Sequence, residues 1–133
     1  MFTRRYEYLE EINEGVVRQI PDNYSKNELS ILDVGCGYGA LAEAMKNQGY
    51  KVVGIEANAE AYAIASRRIN QVIYADLTSI VEVQRAVGKR SFDYVIFSDV
   101  IEHLCDPYTI IVEYKKFLHD KSKMIISVPN IAV

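Results

Sequence analysis

The chain has 133 residues, half of them hydrophobic, with 15 basic and 18 acidic side chains and a net charge of −3. That length fits one domain with a real core, and the mixed charge lacks the basic footprint of a protein that holds nucleic acid by bulk electrostatics. No apolar run reaches the roughly 18 residues that a membrane-spanning helix needs, and Met1-Phe2-Thr3-Arg4-Arg5 does not lead into the apolar core of a signal peptide. A cytoplasmic protein without nucleic-acid partners is expected. Of the two cysteines, Cys36 lies inside a glycine-rich turn, so a structural disulfide with Cys105 is not expected.

Residues 1–27 are expected to form an N-terminal helix and its connection, and residues 28–133 an α/β core. Leu9, Ile12, Val16 and Ile20 recur at helical spacing, and Pro21 stops the pattern. Ile31 to Val34 reads as a strand, followed by the turn Gly35-Cys36-Gly37-Tyr38-Gly39 and a helix from Ala40 to Gln48 with Gly49 just past its end. Lys51 to Ile55 is a second strand ending in Glu56, and Asn58 caps a helix to about Ile69. Val72 to Ala75 is a short third strand ending in Asp76, with a helix over 78–87. Phe92 to Phe97 is a fourth strand ending in Ser98 and Asp99. Asp106-Pro107 opens a helix to about Leu118, and Met124 to Val128 is the fifth strand.

Continuous apolar strands alternating with helices predict a Rossmann-like, doubly wound, mainly parallel five-stranded sheet covered by helices on both faces. Ligands of such sheets sit outside the carboxyl ends of the strands. Four successive strands present an acid at that end: Asp33, Glu56, Asp76 and Asp99. Glu56, about 20 residues past the first glycine, has the position that accepts from ribose hydroxyls, or it is a solvated acid at the Asn58 helix. Asp76 suits an exocyclic amine such as adenine N6, or caps the helix at Thr78. Asp33 suits a ligand ammonium, or is a buried acid satisfied by loop N–H groups. A ribose, an adenine-like base and a cationic amino-acid part describe S-adenosylmethionine better than NAD, whose pyrophosphate would be repelled by Asp33.

At these residues the sequence resembles the class I S-adenosylmethionine-dependent methyltransferases. Four segments carry the resemblance: Leu32-Asp33-Val34-Gly35-Cys36-Gly37-Tyr38-Gly39, Val53-Gly54-Ile55-Glu56, Tyr74-Ala75-Asp76-Leu77, and Phe92-Asp93-Tyr94-Val95 running into Ser98-Asp99-Val100-Ile101-Glu102-His103-Leu104. The subgroup it is most similar to includes ubiquinone-biosynthesis O-methyltransferases, and it also looks like methyltransferase domains found beside bacterial glycosyltransferases. The resemblance implies S-adenosyl-L-methionine as cofactor and S-adenosyl-L-homocysteine as product. It implies cofactor contacts by Asp33, Gly35, Cys36, Gly37, Glu56, Ala57, Asp76, Leu77, Ser98 and Asp99, and O-methylation of a small-molecule or sugar- or lipid-type acceptor. The family's sheet has two further strands. Their absence here implies an incomplete acceptor half, and an exposed fifth strand that invites a homodimer.

Asp99, Glu102 and His103 are spaced i, i+3, i+4 and share one face if the segment is helical. His103, with Asp99, is the candidate for catalysis, as a base near neutral pH; alternatively Glu102 and His103 only shape the site entrance. Related enzymes bind a divalent metal through a Glu-x-x-Glu-His segment and a later histidine. Here the first position is Asp and the later histidine, His119, falls at the far end of a helix, so no metal is expected. Tyr6, Tyr8 and Tyr24 are candidates to cover the site. Two other readings stay open: an NAD(P)-dependent Rossmann oxidoreductase, since Gly35, Gly37 and Ala40 fit the loose glycine pattern, and a noncatalytic cofactor-binding module.

Overall fold

The computed structural model describes residues 12–24 and 28–129. Met1 to Arg5, Tyr6, Tyr8 and Leu9, which entered the sequence reading, lie outside them.

Helix α1 is short, Glu14–Gln19, and Asn13 caps it by accepting the Val16 N–H. The alternating elements that follow are β1 Ser30–Val34, α2 Ala40–Asn47, β2 Lys51–Glu56, α3 Ala59–Ser66, β3 Gln71–Tyr74, α4 Ile80–Val87, β4 Phe92–Ser98, α5 Pro107–Tyr114 and β5 Leu118–Ser127. All five strands are parallel, in the order β3-β2-β1-β4-β5. The chain winds outward from β1 to β3, crosses back, and resumes at β4 on the other side of β1. The strand order therefore reverses between β1 and β4, and in sheets of this kind ligands bind outside the carboxyl ends of the strands at that point. The outer edge of β5 pairs with no strand among the described residues.

Side-chain alternation divides the sheet into two cores. Ile31, Val52 and Ile96 face α1 and α2, where Val16, Ile20, Leu41, Ala42 and Met45 cover them. Leu32, Val53, Val95 and Phe97 face the other way, onto Val83 and Val87 of α4 and Tyr114 and Phe117. Because the inner strands β1, β2 and β4 are covered on both faces, they need apolar residues at successive positions, and this explains their continuous runs in the sequence. The second core is braced by edge-on aromatic contacts of Tyr114 with Phe97 and Phe117, at centroid separations of 5.3 and 5.6 Å. The Tyr114 hydroxyl donates to the Leu77 carbonyl, which ties α5 to the loop after β3.

Several expected boundaries shift. β3 runs one residue earlier than expected, α3 stops at Ser66, and α4 starts at Ile80 after Ser79. The expected helix to Leu118 ends at Tyr114, passes through a 3-10 turn over Lys115–Phe117, and gives way to a strand six residues earlier than Met124. An irregularity in the β4–β5 pairing permits this: Leu118 pairs with Phe92, and the next partners are Lys123 and Tyr94. The Ser122 hydroxyl, donating to the Phe92 carbonyl, anchors the extra residues. His119 thus belongs to a strand rather than a helix, and its Nε2 lies 2.9 Å from Asp93 Oδ1, at the amino end of the sheet.

Candidate functional site

The glycine turn is built by three residues with positive φ: Gly35 (73°), Gly37 (58°) and Gly39 (88°). At Gly35 and Gly39 a neighbour explains the missing side chain: Val100 at the first, Ala65 at the second. A Cβ on Gly35 would lie 3.0 Å from a methyl of Val100, so this glycine makes room for the segment after β4. Gly54, in the middle of β2, plays the same part for Cys36: a Cβ there would come within 2.6 Å of the Cys36 sulfur. The Cys36 side chain is therefore turned inward. Burial, reinforced by the charges of Asp33 and Glu56, pushes its thiol well above the ordinary range, so it is no nucleophile.

Glu56 is held by two backbone donors. Gly37 N–H donates to Oε1 at 2.8 Å and Asn58 N–H to Oε2 at 3.0 Å. A carboxylate has about four acceptor sites, so each oxygen keeps a free lone pair, and the half-buried side chain is fixed in orientation before any ligand arrives. Ala57, beside it, is exposed. Asp33 is 3% exposed. Burial, and then the nearby charge of Glu56, push its carboxyl up to about 7. Both influences act in the same direction, so a cation at this point would relieve them.

Asp76 is exposed. Its Oδ1 accepts from the Thr78 N–H at 2.9 Å and the Thr78 hydroxyl at 2.7 Å, and these bonds hold the carboxyl below its usual range. It therefore shapes the loop at Thr78, but the helix cap that one reading of the sequence expected of it is Ser79, because the helix starts only at Ile80. Leu77 is half-buried beside it, and Ser98 is half-buried at the end of β4.

The segment after β4 differs from expectation. Asp99 has φ 55°, the left-handed region, and Ile101–His103 is a 3-10 turn rather than an α-helix. Asp99, Glu102 and His103 consequently do not line up on one helical face. Glu102 and His103 pair with each other, Oε1 to Nε2 at 3.3 Å, and the His103 side chain is 78% exposed. Asp99 instead turns toward α1 and β5. Its Oδ2 accepts from Asn13 Nδ2, and its Oδ1 accepts from the Ser127 hydroxyl, each at 3.1 Å. Asn13 and Ser127 were not anticipated from the sequence. Only the register that sets Ser98 beside Ser127 brings them to Asp99.

Tyr24 does not cover this crevice. It is exposed and donates to Asp22, next to Asn23, whose N–H bonds the Gln48 carbonyl at the opposite end of the sheet. Cys36 and Cys105 are both free. Among the described residues no helix is long and apolar enough to cross a membrane.

A parallel doubly wound sheet whose strand order reverses between β1 and β4 is an architecture that takes ligands outside the carboxyl ends of its strands. Comparison with known proteins narrows the class: a family model described as "Methyltransferase domain" matches residues 3–133, and the chain belongs to that family. The ubiquinone biosynthesis O-methyltransferase of Cereibacter sphaeroides is 34% identical over 106 residues, which cover 77% of this chain and 42% of the relative. That of Nitrosomonas europaea is 32% identical over 111 residues, with coverage of 80% and 42%. The chain thus spans less than half the length of these relatives. A solved S-adenosylmethionine-dependent methyltransferase from Archaeoglobus fulgidus superposes with a TM-score of 0.72 at 23% identity, over 98% of this chain and 59% of the other. The plantazolicin methyltransferase BpumL, solved with S-adenosylhomocysteine, gives a TM-score of 0.65 at 22% identity, over 77% and 40%. These likenesses are of fold.

Proposed function

We propose that this chain binds S-adenosyl-L-methionine in the crevice between β1 and β4 and serves as an S-adenosylmethionine-dependent methyltransferase, with an oxygen of a small molecule as acceptor. The observation that carries the reading is the Glu56 carboxylate. Gly37 and Asn58 hold it at the end of β2 with acceptor capacity on both oxygens, as a ribose diol requires. The rest of the acid set fits the same ligand. Buried Asp33 calls for a cation near the glycine turn, which the ligand's ammonium or sulfonium supplies. The Asp76 Oδ2 and the Leu77 backbone suit an adenine edge. Gly35, Cys36 and Gly37 form the floor, Ala57 flanks the ribose, and Ser98 and Asp99 close the side toward β4. Pyrophosphate, by contrast, would face Asp33.

The cofactor, when bound, would supply an electrophilic methyl group on a positively charged sulfur, to be taken by an acceptor oxygen, with a neutral thioether as the leaving group. The chain's work is to align the partners and exclude water. It also receives the acceptor's proton, which we assign to the exposed imidazole of His103, steered by Glu102. The names of the ubiquinone-pathway relatives favour an oxygen acceptor. The outer edge of β5, unpaired among the described residues, favours self-association through main-chain pairing, which concentration-independent monomer scattering would disprove.

Calorimetry with S-adenosylmethionine, S-adenosylhomocysteine and NAD tests the ligand. Binding of the first two without NAD is expected, and NAD binding alone would replace this reading with an oxidoreductase. Cofactor binding with no methyl transfer to a catechol or phenol panel by the full-length protein would leave a noncatalytic module.

A further inference from the structure

The Asn13–Asp99–Ser127 cluster joins parts of the chain 86 and 28 residues apart. Asp99 is the one non-glycine with positive φ among the described residues, a conformation disfavoured by its Cβ and kept only where the surroundings over-determine it. Those surroundings are specific. The Asp99 N–H donates to the Ser127 carbonyl at 3.2 Å and to its hydroxyl at 3.1 Å. The Ser127 hydroxyl donates to Oδ1, and Asn13 donates to both Oδ2 and the Ser127 oxygen at 3.1 Å. The Asn13 amide divides its work: Oδ1 caps α1 through Val16, while Nδ2 serves the cluster.

Asp99 leads directly into the site. Val100 follows it and rests on Gly35, and the Val100 carbonyl accepts from the His103 N–H at 3.1 Å. A rotation at Asp99 would therefore move Val100 off the glycine turn and carry the Glu102–His103 pair with it. We infer that Asn13 and Ser127 are positioning residues of the ligand site: they lock Asp99 in its left-handed conformation, and thereby set both the Val100 wall of the glycine turn and the placement of His103. The inference rests on the functional reading above for the identity of the ligand, but its geometry does not.

The substitution Asn13→Asp isolates the clamp. It keeps an acceptor for the Val16 N–H, removes both donor bonds, and sets a second carboxylate against Asp99. Ser127→Ala removes the other half and spares α1. Val16→Ala loosens α1 while leaving the clamp whole. The probes are S-adenosylhomocysteine, by calorimetry, and the Val100 methyl and His103 ring resonances of the ligand-free chain. For N13D, a dissociation constant raised about fivefold or more is expected, the lower range of measured couplings between sites. N13D and S127A should shift the same Val100 and His103 resonances. V16A should lower the melting temperature and leave affinity and resonances in place. Unchanged resonances and affinity in N13D and S127A would overturn the inference, as would equal changes in V16A. If the unmodified chain fails to bind S-adenosylhomocysteine, the functional reading falls, and the resonances alone decide the clamp.

Discussion

Replacing Asp33 by Asn should make the ligand-free protein more stable at high pH while weakening its ligand site. The Asp33 carboxyl is buried and pushed up to about 7, from an ordinary value of 3.8. An acid raised in the native state binds more protons folded than unfolded between those two values. Its contribution to stability is therefore complete below the lower value and is lost as pH rises through the upper one. At about 1.4 kcal/mol per pH unit, the loss by pH 8 is of order 4 kcal/mol. Asn carries no charge to desolvate, but its amide brings buried donors that cost about 1–2 kcal/mol if unpaired. The difference leaves D33N more stable than the original by about 2 kcal/mol at pH 8, and equal or slightly less stable at pH 5. For a chain of this size that corresponds to a melting temperature higher by about 6–8 °C at pH 8. Thermal unfolding followed by circular dichroism at pH 5, 6.5 and 8 measures it. A D33N curve that runs parallel to the original across this range would refute the assignment of a buried, costly carboxyl. The same reasoning fixes the ligand linkage. A cation beside Asp33 favours its charged form, so binding S-adenosylmethionine near pH 6.5 should release a proton, seen as a dependence of binding heat on the buffer's ionisation enthalpy. D33N should bind at least about tenfold more weakly, the value of one lost bond to a charged group, and show no such dependence.

Glu56→Gln should weaken S-adenosylhomocysteine binding about 10- to 100-fold, because the carboxamide turns one donor toward the Gly37 or Asn58 N–H and cannot accept on both sides. Calorimetry showing full affinity would remove Glu56 from the ribose position. Gly54→Ala should destabilise by about 1–3 kcal/mol through overpacking on the Cys36 sulfur and Ile69. Adding Cys36→Ala should recover part of that loss in urea unfolding, and strict additivity would show that the two side chains do not collide. Tyr114→Phe should cost about 1 kcal/mol by leaving the Leu77 carbonyl without its donor. It should also speed hydrogen exchange in residues 76–79; unchanged exchange there would mean that α5 does not brace this loop.

Much of the fold was legible because its rules are local. Apolar runs with no polar alternation announced strands buried on both faces, and Gly35 to Gly39, Gly49, Asn58 and the Asp106-Pro107 pair marked turns and caps where the backbone chemistry demands them. The acids at the strand ends were legible for a related reason: in a parallel sheet the carboxyl ends of all strands lie on one edge, so a residue that closes an apolar run falls there. The irregularity at Phe92–Tyr94 was not, since the bond that anchors it, Ser122 to the Phe92 carbonyl, joins residues 30 apart. The i, i+3, i+4 spacing of Asp99, Glu102 and His103 suggested a helical face that does not exist, because spacing cannot report a left-handed residue held from outside.

The sequence by itself determined the class of fold, the rim of acids and the family, all of which follow from the order of residues along single strands and turns. Only the tertiary structure decided what those groups face. It showed that Gly35 serves Val100, that Gly54 serves Cys36, and that Asp99 answers to Asn13 and Ser127. Each of these is a contact between segments that touch only after the sheet has chosen its strand order, and a hydrogen bond or a van der Waals contact depends on distance in space rather than along the chain.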